Sequence, residues 1–149
     1  MMKKIQIFAS EKGQSMMELA VGIMILFIFL AGVIDVGRAI FHFIAMRDAA
    51  QEAAVYGAVY PSHCDQIRDR AYSAMDNSPV IQINTMVDGM DCHKAVKINN
   101  KVCYGKEIRV TIRDPEFPIS MPFIGFFLGK QTIPLEAFVT GTVLRPPCN

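Results

Sequence analysis

No proline occurs before Pro61, no cysteine before Cys64, and no charged side chain between Leu19 and Ile34. Each absence excludes something. Without proline, nothing forces a break between Ser15 and about Ala58, and a helix of ~44 residues would be ~65 Å long. About half of such a helix must project beyond any membrane it crosses. The charge-free stretch, extended by Met16, Met17 and Val36, approaches the ~20 residues that ~30 Å of hydrocarbon requires. A buried core helix is disfavoured, because every face of residues 19–34 is apolar and a surface helix of a small domain shows a polar stripe. A cleaved secretory signal is disfavoured too, because the run ends in Asp35-Val36-Gly37-Arg38 with no small-x-small site. A single-span anchor is the expectation, and 52% apolar content in 149 residues is in keeping with it.

Signatures of chemistry are also scarce. There is no glycine-rich phosphate loop and no Ser-His-Asp signature, and Asp65, Asp88 and Asp91 lack calcium-loop spacing. A formal net charge of +1 argues against a general nucleic-acid binder, which needs a concentrated basic surface. His63-Cys64 and Cys92-His93 offer two Cys and two His, but their spacing is wrong for the usual zinc fingers and leaves Cys103 and Cys148 over. Nothing local supports a cysteine nucleophile paired with His63 or His93. The expectation is a non-enzyme with no metal and no cofactor.

What is present has a direction. Lys3, Lys4 and Lys12 precede the span against Glu11 alone, while Arg38 and Arg47 follow it among Asp35, Asp48 and Glu52, which favours a cytoplasmic N-terminus. Cys64, Cys92, Cys103 and Cys148 all follow the span and are even in number, as in a disulfide framework built in an oxidising space. Four cysteines allow three pairings, of which Cys92 with Cys103, closing a local loop, and Cys64 with Cys148 is the preferred one.

Beyond the span the period changes twice. Ile40, Phe43 and Ile44 continue the helical spacing, followed by Ala49, Ala50, Ala53, Ala54 and Gly57. These form small-xxx-small pairs that let another backbone approach closely, either the protein's own domain or a neighbouring subunit. After Pro61, Ser62 and Asp65 are spaced as a capping box for a second helix carrying Ile67, Ala71, Ala74 and Met75 on one face. Residues 80–87, 106–114 and 133–144 alternate as strands, with Asn99-Asn100 as a turn candidate within 94–104. The proline-rich stretch 115–131 carries Phe117, Phe123, Phe126 and Phe127. It is either a plug between sheet and helix or an exposed apolar patch for a membrane or partner. The fold class expected is α+β, with a second helix packed on a three- or four-stranded antiparallel sheet.

One local pattern is the most specific. Gly13 is followed by Gln14-Ser15-Met16-Met17-Glu18 after a short basic leader and before the apolar run. An acid there is costly, about 2.5–3.5 kcal/mol at mid-membrane, so its place calls for a reason. The arrangement resembles the type IV prepilin signal. With Asp35, Gly37, Arg38 and the alanines at 49, 50, 53 and 54, residues 13–58 resemble the TadE-like family of the tight-adherence pilus system. The resemblance implies a non-catalytic minor pilin or pseudopilin in the bacterial inner membrane or in a pilus, serving adhesion or secretion. It implies a leader over 1–13 cut between Gly13 and Gln14 by a prepilin peptidase, a transmembrane helix over 14–36 and an extracytoplasmic domain over 37–149. Its partners would be that peptidase, the inner membrane and other pilin-like subunits. Glu18, paired with the new ammonium of Gln14 on a neighbour, would set helix stagger. Asp35 and Arg38, three apart, read as an exposed pair where the helix leaves the membrane, worth only a few tenths of a kcal/mol and marking an interface for subunit recognition. A plain membrane-anchored binding module is the alternative.

Overall fold

A computed structural model of the protein describes residues 11–75, 80–98, 101–121, 125–126 and 129–148. The proline-free stretch forms one unbroken helix, α1 (Glu11–Val59), whose 49 residues extend about 73 Å at 1.5 Å each. It stops where Pro61 cannot donate a backbone hydrogen bond; the last backbone bond of the helix end runs from Tyr60 N to Tyr56 O at 3.0 Å. A turn leads to α2 (Cys64–Ala74), which buries Cys64, Ile67 and Ala71 against α1, with Met75 completing the stripe just beyond its end. Ala74 is exposed. The expected capping box does not form. His63 is the N-cap and gives no side-chain cap. Ser62 falls within the Pro61 turn, one residue too early to cap, and Asp65 pairs instead with Arg68 at 3.4 Å and His93 at 3.5 Å.

The rest is a four-stranded antiparallel sheet in the order β2-β1-β3-β4, built from β1 (Gln82–Val87), β2 (Met90–Asp91), β3 (Glu107–Pro118) and β4 (Thr132–Thr142). Of the hairpin expected over 94–104, the described residues form no strand: residues 92–96 are the short helix α3 (Cys92–Val96), and the turn candidates Asn99 and Asn100 lie outside the described residues. The tight hairpin turn is Asp88-Gly89, with φ of 50° and 75°. Both values are left-handed, as a two-residue hairpin that matches strand twist requires. α1, α2 and the sheet enclose one core in which Met46, Ile67, Ile108, Val110, Ile112 and Val143 are fully buried. The fold is the α+β class expected, a long apolar helix followed by a second helix and an antiparallel sheet.

The disulfides correct the preferred pairing. They join Cys64 to Cys92 and Cys103 to Cys148, with Cα atoms 5.8 and 5.1 Å apart. The Asp88-Gly89 turn returns the chain so that α3 begins beside the first turn of α2. Cys103 is held near the end of the sequence by Tyr104 N to Pro146 O at 2.6 Å and Gly105 N to Val143 O at 2.9 Å. Spacing along the chain favoured a local loop; the hydrogen bonds of the fold bring distant cysteines closer.

β3 runs antiparallel to α1 and carries the feature that positions the site. Its inward residues alternate through Ile108, Val110, Ile112 and Asp114. Between Asp114↔Leu135 and Phe117↔Ile133 the register shifts, three steps on β3 matching two on β4. This bulge resets the alternation, so Phe117 turns inward while Glu116 faces out. Asp114 Oδ1 accepts a hydrogen bond from Glu116 N at 3.0 Å and holds the bulge.

Candidate functional site

The head of α1 is open on all sides. A Cβ added at Gly13 would meet nothing within 4 Å, and the same holds at Gly22 and Gly37. Glycine inside a helix costs about 0.5–1 kcal/mol relative to alanine, so the fold of this chain supplies no reason for Gly13. Glu18 is exposed, with Gln14 Nε2 donating to its Oε1 at 3.4 Å, too long to fix either side chain. From Met16 to Ile44 large apolar side chains face outward; Phe29 is 70% and Phe41 76% exposed. Among the described residues this is the one helix long and apolar enough to cross a membrane.

Asp35 stands near the end of that run, and the structure changes its reading. Rather than being exposed, it is 7% accessible. Its carboxylate accepts the backbone N–H of Ser120 at 3.0 Å and of Met121 at 2.5 Å, and Arg38 Nη1 lies 3.4 Å from Oδ1. The same Arg38 nitrogen donates to Ser120 Oγ at 2.7 Å, and its guanidinium lies 5.6 Å from the centre of the Phe117 ring. One turn on, His42 Nε2 is 2.8 Å from Asp114 Oδ2, and its ring packs at 5.1 Å on Phe117. Positions 35, 38 and 42 form one stripe at helical spacing, and each residue meets the end of β3 or the loop after it. The pair is therefore part of an internal clamp that fastens the β3–β4 connection to α1. Carboxylate bonds to backbone N–H groups are charge-assisted and stronger than neutral ones, which an isolated surface pair is not.

Asp35 and Arg38 were legible as a pair, but His42, Asp114 and Ser120 were not expected to join them. A signal existed for Asp114, an acid at an inward position of an alternating strand. His42, seven residues after Asp35, was another.

Ala49, Ala50, Ala53, Ala54 and Gly57 are all buried in the protein's own core. A Cβ on Gly57 would stand 2.3 Å from Ile108 Cδ1 and 3.0 Å from Ile67 Cδ1. Of the two uses open to these small-residue pairs, the structure has the internal one. The Cys-His pairs come together, but the sulfurs of Cys64 and Cys92 are bonded to each other, which removes both as thiolate ligands. All four cysteines are in disulfides. Of the aromatic stretch, Phe117 is a buried plug and Phe126 is exposed; Phe123 and Phe127 lie outside the described residues. The leader residues 1–10 lie outside them as well.

Comparison with known proteins is confined to the helix. No curated protein and no solved structure matches the chain. One family model, described as TadE-like protein, matches residues 13–55, which begin at Gly13 and take in Glu18, Asp35, Arg38, His42 and most of the small-residue face. Residues 13–55, most of the N-terminal helix, are thus similar to the TadE-like family, and the disulfide-linked α+β domain that follows extends beyond the match.

Proposed function

We propose that the protein is a non-catalytic, pilin-like subunit of a tight-adherence pilus or the related secretion apparatus, held in the bacterial inner membrane by residues 14–36, with residues 37–149 outside the cytoplasm. The observation that carries this reading is the match that starts at Gly13 and places Glu18 at the head of an exposed apolar helix. Gly13 meets no packing partner among the described residues, which supports recognition by an external protein, a prepilin peptidase that cuts between Gly13 and Gln14. Cleavage would leave the ammonium of Gln14 four residues before Glu18. An unpaired acid in an apolar helix bundle is expensive, so pairing Glu18 with that amine on an adjacent subunit favours one stagger of helices over others. The disulfides suit an oxidising compartment, and the basic residues before the span suit a cytoplasmic leader.

Intact mass measured after expression with a prepilin peptidase tests this. The mature chain is expected to begin at Gln14, and Gly13→Ala to retain residues 1–13. A wild-type chain that keeps its leader beside an active peptidase overturns the processing step. A processed chain whose Glu18→Gln variant assembles normally would favour the membrane-anchored binding module instead.

A further inference from the structure

We infer that the described part of the tip of the β3–β4 connection, with Ile119, Met121, Phe126 and Ile133, inserts beside α1 into the membrane leaflet from which α1 emerges, giving the chain a second contact with lipid. The inference rests on the reading of α1 as a membrane span. Three observations carry it.

The first is level. Contacts of β3 and the residues after it with α1 descend in order: Ile108 at Gly57, Asp114 at His42, Ser120 at Asp35, and Met121 at Gly32, where a Cβ would meet the Met121 sulfur at 3.7 Å. Gly32 lies inside the apolar run, about 6 Å along the helix from Val36. Wherever hydrocarbon covers the run to Ile34, Met121 is beside it.

The second is how the described residues of the tip bond their polar backbone groups. Asp35 takes the N–H groups of Ser120 and Met121. Gln131 Nε2 donates to the carbonyls of Ile119 and Met121 at 3.0 and 3.1 Å, and Ile119 N donates to Gln131 O at 3.0 Å. Gly129 N donates to Gly125 O at 3.0 Å. A loop in water can leave such groups to solvent, but at membrane depth each must find a partner in the protein. The same contacts satisfy Asp35, the one acid at that level.

The third is what remains outside. Phe126 is 85% exposed. Between tip and helix runs an apolar groove of about 460 Å³, walled by Ile28, Phe29 and Val33 on α1 and by Ile119, Met121 and Ile133 opposite. One wall is the span itself, so the groove is continuous with whatever surrounds the span. Among the described lining residues the one polar side chain is Asp35, and it is already bonded to Ser120 and Met121. Acyl chains are the occupant this surface fits. Lys130 is exposed beside the tip, where its stem can lie along the apolar surface and its ammonium reach lipid phosphates.

The protein contains no tryptophan, so single-tryptophan variants of the full chain report depth directly. Phe126→Trp, Phe29→Trp and Phe138→Trp are reconstituted in phosphatidylcholine–phosphatidylglycerol vesicles carrying bromine at a shallow or a deep acyl position, with both disulfides verified by non-reducing mass. Phe126→Trp is expected to shift its emission to shorter wavelength and to be quenched more by shallow than by deep bromine. Phe29→Trp should be quenched, and Phe138→Trp, on the exposed face of β4, should not. Quenching of Phe29→Trp without quenching of Phe126→Trp overturns the inference and leaves the anchor intact, whether emission of the tip stays long or shifts because protein covers it. Loss of quenching at both positions overturns the anchor and the inference together.

Discussion

Between Met16 and Ile44, α1 turns Leu, Ile, Met and Phe side chains outward, whereas from Met46 to Ala58 its inward face is Ala, Gly and one Met, packed under the sheet and α2. Both halves are helical and rich in apolar residues. They differ in side-chain volume and in what lies opposite each face. In the first, lower half, residues 19–34 are apolar on every face, so that stretch offers no polar face to water. In the upper half charge is kept to one side, on Arg47, Asp48 and Glu52, and the other side is pared to methyl groups so that β3 and α2 can approach. Large side chains mark the half that a membrane can solvate; small ones mark the half that the protein packs itself.

The sharpest way to break this comparison is to truncate one large side chain in each half. Met46→Ala should lower unfolding stability by about 2–5 kcal/mol in urea titrations in detergent, because its site is sealed, and Leu26→Ala should stay within about 0.5 kcal/mol. Charge inverts the order of sensitivity. Ile25→Arg carries a membrane-insertion cost of about 2.5–3.5 kcal/mol and should move protein from the membrane fraction, while Val55→Arg, on the exposed side of the upper half, should leave fractionation unchanged.

The same exchange at two glycines gives a smaller contrast. Gly57→Ala forces Ile67 and Ile108 apart in a full core, and with the gain in helix propensity subtracted it should cost about 1 kcal/mol in the same titration. Gly22→Ala meets open space and should be neutral or slightly stabilising. The smallest effect lies away from both halves, in the β1–β2 turn. Lys101 hydrogen-bonds the Asp88 carboxyl, with Lys106 at 3.6 Å, and together they hold it below the usual carboxylate range against a lesser opposing effect of desolvation. Because the folded state has the lower pKa, the stabilisation is fully present above the usual carboxylate range and is lost as pH falls through the folded-state value. Melting temperature should therefore differ between wild type and Asp88→Asn near neutrality, and the two should converge in acid.

Much of this was legible. The long apolar helix and its end near Pro61 follow from the absence of charge and of proline; the inward stripe Ile67, Ala71 and Met75 and the alternation of β3 follow from periodicity, which burial enforces on a helix or strand wherever it packs. The failures have physical causes. Asp88-Gly89 is a strong hairpin signal, but only two residues of strand follow it, too few to show an alternation. Ser62 has the right spacing to Asp65, yet Pro61 sets the turn that leaves it outside the cap. The bulge that turns Phe117 inward depends on the pairing of β3 with β4, which no single strand reveals.

By itself the sequence determined that this chain has one long uninterrupted helix, apolar at one end and small-faced at the other, because proline, charge and side-chain volume act locally and need no partner to be read. Tertiary structure alone decided which cysteines meet, that the small face is used internally, and that Asp35 clamps a hairpin. Those outcomes depend on distances between residues more than 25 positions apart. Such distances are set by the packing of the whole sheet on α1, where no local preference favours one partner over another.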